Sequence, residues 1–398
     1  MLQGLTRDGA LLFLTRFTRL FAYGALSVVL VFYLTSLGLS ESQTGLLLTL
    51  TLLGDTAVSL LLTTQADRIG RRRMLIAGAF LMAGAGLAFA STRNFLFLVI
   101  AGTIGVISPS GNEVGPFLPI EQAALSQLVS AAARTDVLAW YTLTGALATA
   151  AGSLAGGLLT KTLEARSLTP LASERAVVLL YASLGLLLAF FFQGLTPAAE
   201  APPASTTRLG LGPSARRVVF RLAALFALDA FGGGFIIQSL AAYWFHLRFG
   251  VEPATLGGIF FGANVFAGFS ALLASRLAAR FGLVRTMVFT HLPSNILLIL
   301  VPLMPNLTLA TLVLLARFSI SQMDVPTRQS YTMAIVRPEE RSAAAGVTGV
   351  ARTTGAAIAP ALAGLLLARP ALINVPFYLA GTLKIVYDLL LYRAFVSR

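Results

Sequence analysis

The stretch Asp67-Arg68-Ile69-Gly70-Arg71-Arg72-Arg73 lies between two apolar runs, Leu46 to Thr64 and Met74 to Ala90. Each run is long enough to cross a bilayer. Four arginines and a carboxylate do not enter hydrocarbon, so the spacing predicts a tight hairpin on the cytoplasmic side, which retains positive charge. Similar runs separated by short polar breaks recur along the whole chain. With 57% hydrophobic and 11% charged residues, against roughly a quarter charged in a soluble domain, the sequence predicts an all-α polytopic membrane protein. A β-barrel would instead show alternating segments of about ten residues. The absence of cysteine excludes structural disulfides and thiolate metal sites. The first apolar run continues to Leu37 with no small-residue cleavage site, so its helix is expected to be retained.

A net charge of +13 invites a nucleic-acid reading until the charges are placed. Ten fall in predicted membrane interior: Arg16, Arg19, Arg317, Arg352 and Lys384 against Asp55, Glu113, Asp229, Asp324 and Asp388. The interior sums to zero. Of the 29 Lys and Arg, those five are interior and six lie outside (Arg93, Lys161, Arg166, Arg175, Arg248, Arg369), leaving eighteen on the cytoplasmic side. This positive-inside bias puts both termini in the cytoplasm and leaves little for nucleic acid to explain; the expected location is the cytoplasmic (inner) cell membrane.

Twelve spans are expected, six in residues 1–195 and six in 218–398, joined by a proline-rich cytoplasmic linker over 196–217. Span 4, Asn94 to about Leu125, should be kinked or unwound at Ser108-Pro109-Ser110-Gly111-Asn112-Glu113. Span 7 carries Gly232-Gly233-Gly234, which favour a bend or a ligand's approach to the backbone. The halves look duplicated. A shift of 212 carries Arg68, Gly70 and Arg73 onto Arg280, Gly282 and Arg285, and Gly38 and Gly45 onto Gly250 and Gly257; a shift of 207 carries Gly157 onto Gly364.

The run Thr63-x-x-x-Asp67-Arg68-Ile69-Gly70-Arg71-Arg72 resembles the hallmark Gly-x-x-x-Asp-Arg-x-Gly-Arg-Arg of the major facilitator superfamily, with Thr63 replacing the leading Gly. The resemblance covers essentially the whole chain and is to twelve-helix efflux-type members. It implies two pseudo-symmetric six-helix bundles, and a cytoplasmic gate in which Asp67, with Arg68, Gly70 and Arg71, meets the start of span 11 near Arg341. Arg280, Gly282 and Arg285 form the counterpart loop. Ala148-x-x-x-Gly152-Ser153-x-x-Gly156-Gly157 resembles the family's antiporter motif without its proline; a related pattern on span 11 includes Pro360. Small residues at this spacing also serve plain helix packing.

An unpaired charge at mid-membrane costs about 2.5–3.5 kcal/mol, so the ten must be paired or wet. Arg16, Arg19 and Tyr23 share one face of span 1, and Arg317, Ser321, Asp324 and Arg328 one face of span 10. By resemblance, spans 1, 4, 7 and 10 line a central cavity, which places Arg19, Glu113, Asp229 and Asp324 around it; these with Tyr23, Asp55, Asn112, Arg317 and Arg352 are the candidate substrate and proton-coupling residues. Asp229 and Glu113 are candidate proton carriers, since burial disfavours a charged carboxylate; the bland alternatives are fixed pairs, Asp229 with Arg352 and Asp55 with Arg19. Lys384 and Asp388, four apart, are expected to pair locally. His291, beside Pro293, reads as a structurally satisfied histidine.

There is no phosphate-cradling loop for ATP and no histidine pair for a metal. The expected function is therefore secondary transport of a small polar or ionisable organic solute by alternating access, not enzymatic catalysis. A proton gradient is the expected energy source, no cofactor is needed, and a monomer is the expected working unit. Export by antiport is favoured over inward symport. A lipid scramblase or a membrane sensor is the rival of another class.

Overall fold

The computed structural model describes residues 6–112, 115–130, 134–200, 212–337 and 340–395. Every regular element among them is helical. In order these are α1 (Arg7–Ser36), α2 (Glu41–Ile69), α3 (Arg71–Ser91), α4 (Phe95–Ile104), α5 (Phe117–Leu128), α6 (Arg134–Glu164) and α7 (Pro170–Gln193). They continue with α8 (Pro213–Gly234), α9 (Gln238–Phe249), α10 (Pro253–Phe281), α11 (Leu283–Leu300), α12 (Leu307–Ser321), α13 (Asp324–Ala334), α14 (Arg341–Leu367) and α15 (Val375–Phe395).

Eleven helical stretches among the described residues are long and apolar enough to cross a membrane, and the short apolar α4 opens the remaining expected span. Span 4 is α4 plus α5, span 7 is α8 plus α9, and span 10 is α12 plus α13. α4 ends at Ile104 and α5 begins at Phe117, and the described residues between them are not helical, which makes the interruption wider than a kink. In span 7 the helix stops at Gly234, the last of the three glycines. Helix starts are set locally: Asn94, Thr169 and Asn306 cap α4, α7 and α12 by accepting backbone N–H bonds.

One expectation is corrected at the basic hairpin. Asp67 and Arg68 are not loop residues but the end of α2, and Gly70 alone, at φ 116°, separates α2 from α3. Gly282, at φ 85°, does the same between α10 and α11. Gly38 and Gly250 likewise both take positive φ at the ends of α1 and α9. Only glycine holds such angles without strain, so the 212-residue repeat reaches down to backbone geometry.

The chain divides into two compact units. The first comprises residues 1–40, 50–205 and 251–261; the second comprises 41–49, 206–250 and 262–398. In the first, α1 packs on α6 and α7, and α3 on α7 and α4. In the second, α8 packs on α14 and α15, and α11 on α15 and α12. Span for span these are the same pairings, six helices on.

Candidate functional site

Asp229, on α8 and 3% exposed, is the centre of a polar cluster in the second unit. Lys384 Nζ of α15 lies 2.6 Å from Oδ1, and Arg328 Nη1 of α13 lies 3.3 Å from Oδ2. His291 Nε2 of α11 is 3.6 Å from Oδ1. Arg328 also holds Asp324, one turn back on α13, at 2.7 Å. The other face of His291 meets Asp388, with Nδ1 2.9 Å from Oδ1, and Asn295 donates to the second Asp388 oxygen at 3.0 Å. Four helices thus bring three carboxylates, two permanent cations and an imidazole into contact. The ring of Phe226 lies 5.5 Å from the Arg328 guanidinium.

This arrangement corrects three expectations. Lys384 and Asp388 do not pair with each other: α15 packs against both α8 and α11, and each residue finds its partner across a helix interface, where a local pair would strand Asp229 and His291. Asp229 takes Lys384, Arg328 and His291 in place of Arg352, which is half-buried. Arg328, counted with the cytoplasmic charges, is 4% exposed inside the cluster. Its four-residue spacing from Asp324 was the signal that placed it there. Arg317 is within electrostatic reach of Asp229 and Asp324, and among the described residues no ion pair joins it to them.

The first unit holds a tighter pair. Arg19 of α1 and Glu121 of α5 are both fully buried and bonded through two parallel contacts of 2.9 and 2.7 Å. Thr15 donates to Oε1 of Glu121 at 2.8 Å, and the Tyr141 hydroxyl of α6 donates to Oε2. The Arg16 guanidinium covers the Tyr141 ring at 4.3 Å, and that of Arg19 covers Phe117 at 4.7 Å. Arg19 therefore takes Glu121, which is not among the ten expected interior charges, where Asp55 was the expected partner. Tyr23 is also enclosed, stacked on Tyr181 at 6.1 Å.

Asp55 has a different task, accepting the Gly115 N–H at 2.7 Å. Tyr181 donates to the Val106 carbonyl at 2.6 Å, Thr149 to that of Gly111 at 3.1 Å, and Ser108 to that of Asn112 at 2.8 Å. Backbone groups freed in a membrane need such partners, and α2, α6 and α7 supply them to the opened segment of span 4. Asn112 is exposed, and Glu113 lies outside the described residues.

At the hairpin, Asp67 holds Arg71 Nε at 2.9 Å. The carboxylate at a helix start is one that sequence reading missed: Glu200, from the linker, accepts the backbone N–H groups of Arg71 and Arg72 at 2.6 and 3.2 Å, where the helix dipole favours it. Arg71 Nη1 reaches Gln127 and the Ala199 carbonyl. Arg68, Arg280 and Arg285 are exposed, and Gly282 forms the counterpart turn. In the second unit Glu340 receives the N–H groups of Gly212 and Arg337.

The glycine pattern serves close packing. A Cβ on Gly152 or Gly156 would strike the Phe21 or Ala25 carbonyl of α1, and one on Gly355 would strike Ala227 of α8. In the first unit Gly157 backs onto Pro253 and Ala254; in the second Gly364 backs onto Glu41 and Gly45, beside Pro360.

The sequence profile of the Major Facilitator Superfamily matches residues 12–360. The uncharacterized membrane protein YJR124C of Saccharomyces cerevisiae is 31% identical over 425 aligned positions, covering 98% of this chain and 95% of the yeast protein. Among solved structures, the nucleoside transporter NupG superposes with a TM-score of 0.78 at 14% identity, covering 98% of this chain and all of that one. A bacterial homologue of the human lysosomal transporter Spinster, inward-facing and occupied, superposes with a TM-score of 0.76 at 16% identity, covering 98% of this chain and 97% of that one. At those identities the likeness is one of fold.

Proposed function

Since the chain belongs to the major facilitator superfamily, and is a multi-pass membrane transporter and not an enzyme, we propose that it is a proton-coupled secondary transporter exporting a small polar or ionisable organic solute. The observation that carries this reading is the sharing of one buried carboxylate, Asp229, among Lys384, Arg328 and His291 from three other helices. Ionisable groups are costly inside a membrane and are held there for ion or substrate pathways. Protonating Asp229 removes the charge that holds two cations, so loading one proton loosens contacts to α13 and α15 together. Loss of that proton restores them. A local event of this kind biases a two-state packing.

The positive-inside bias supports cytoplasmic termini in a cytoplasmic membrane, and the antiporter-like glycine pattern, which also packs α6 on α1, supports export. The proton gradient is the energy source, no cofactor takes part, and one chain is the working unit. Asp67, Arg68, Gly70, Arg71, Arg280, Gly282 and Arg285, at the helix ends around the two one-residue turns, form the gate in this reading.

The test is reconstitution into proteoliposomes with an imposed pH gradient. Solute should accumulate against its own gradient in exchange for protons. Asp229→Asn should abolish uphill movement while retaining solute-for-solute exchange. Flux indifferent to the pH gradient removes the proton from the proposal, and uphill movement with the proton flow reverses its direction.

A further inference from the structure

Arg317 stands near the end of α12 with a side chain 9% exposed. Its Nε is enclosed and meets no hydrogen-bond acceptor among the described residues. Its recorded contact is with its own neighbour, the guanidinium lying 5.0 Å over the Phe318 ring. Asp229 and Asp324 are within electrostatic reach, but their oxygens already hold Lys384 and Arg328 at 2.6 and 2.7 Å. A guanidinium does not escape this situation by losing its proton. A buried cation whose Nε lacks an acceptor, beside carboxylates already engaged by other cations, is left with donor capacity for an added anion.

One turn further on, Ser321 is 5% exposed, and its hydroxyl also lacks a partner among the described residues. Positions four apart on a helix share a face, with Cβ atoms about 5–6 Å apart. A planar fork of N–H donors and a hydroxyl donor therefore project from one face of α12. The fork matches the geometry of carboxylates and phosphates, and the hydroxyl adds a third bond to an oxyanion.

We infer that Arg317 and Ser321 form the subsite for an anionic group, a carboxylate or a phosphate, on the transported solute. This rests on the transporter reading and narrows its ionisable solute to one bearing a negative charge. Neighbouring Asp229 and Asp324 moderate the attraction, which suits a site that must also release.

The experiment uses the purified full-length chain in detergent, with thermal unfolding followed by fluorescence. The probes are benzoate and phenyl phosphate against benzamide and phenol at constant ionic strength. At least one anion should raise the melting temperature saturably, and the neutral partners should not. Arg317→Gln should weaken that anion's effect roughly tenfold or more, and Ser321→Ala by a smaller factor. Without added anion, Arg317→Gln should melt no lower than the parent, since the guanidinium has no ion pair to lose among the described residues. Absence of a saturable anion effect, its persistence in Arg317→Gln, or a fall of several degrees in that variant without anion each overturns the subsite. Proteoliposomes separate the two readings. A neutral or cationic solute carried equally by Arg317→Gln removes the subsite and leaves transport standing; no carried solute, with anion binding through Arg317 intact, removes transport and leaves the subsite.

Discussion

Arg19 and Asp229 are both charged groups sealed inside helix bundles, and they are stabilised differently. Arg19 is held by the Glu121 carboxylate, which Thr15 and Tyr141 brace. Asp229 divides itself among three partners at 2.6 to 3.6 Å. A saturated bidentate pair is a structural device, so Glu121→Gln, which strands Arg19, should cost about 3–5 kcal/mol of stability. Replacing Arg19 and Glu121 together by Met and Leu should recover most of it. Unfolding midpoints in detergent measure both, and an unchanged midpoint in Glu121→Gln refutes the assignment. The Arg19 end of this pair was legible in the sequence, because a cation in the middle of an apolar helix demands compensation. Glu121 was not: the described residues between α4 and α5 leave the helical path, so counting at the helical rise misplaces everything after them.

At the scale of helices, glycine decides which pairs approach closely. The Gly152 and Gly156 positions on α6 have α1 carbonyls where a side chain would stand, whereas Gly84 on α3 faces open space. Gly152→Val should therefore destabilise by about 1–3 kcal/mol or more through backbone displacement, while Gly84→Ala should be neutral or stabilise by up to about 1 kcal/mol. Expression yield and melting temperature in parallel check the contrast, and equal behaviour of the two variants contradicts it. Sequence alone left the glycine pattern divided between packing and transport because small residues at this spacing satisfy either. The carbonyls of Phe21 and Ala25 give the packing role its physical cause. The one-residue hairpins at Gly70 and Gly282 were half legible: the spacing placed both turns, but nothing in it showed that Asp67 and Arg68 continue the helix.

Over the whole molecule the internal repeat was readable, because positive-φ glycines and basic hairpins recur at a fixed interval. What it did not disclose is that neither unit is a continuous piece of chain. The first takes in residues 251–261 and the second residues 41–49, where Gly157 meets Pro253 in one and Gly364 meets Gly45 in the other. A protein cut between residues 205 and 206 should purify as a paired assembly when both pieces are co-expressed. Each piece alone should melt lower, because it lacks part of its own unit; an amino-terminal piece as stable alone as in the pair refutes this. The same layout sets a timetable for biosynthesis. After residue 205 leaves the ribosome, 56 more residues (261 less 205) must be translated before the first unit owns all its parts. At about 5–20 residues per second, that is a wait of about 3–11 s. The early helices spend that interval in the lipid with a gap in their packing, which gives insertion factors time to act on this chain.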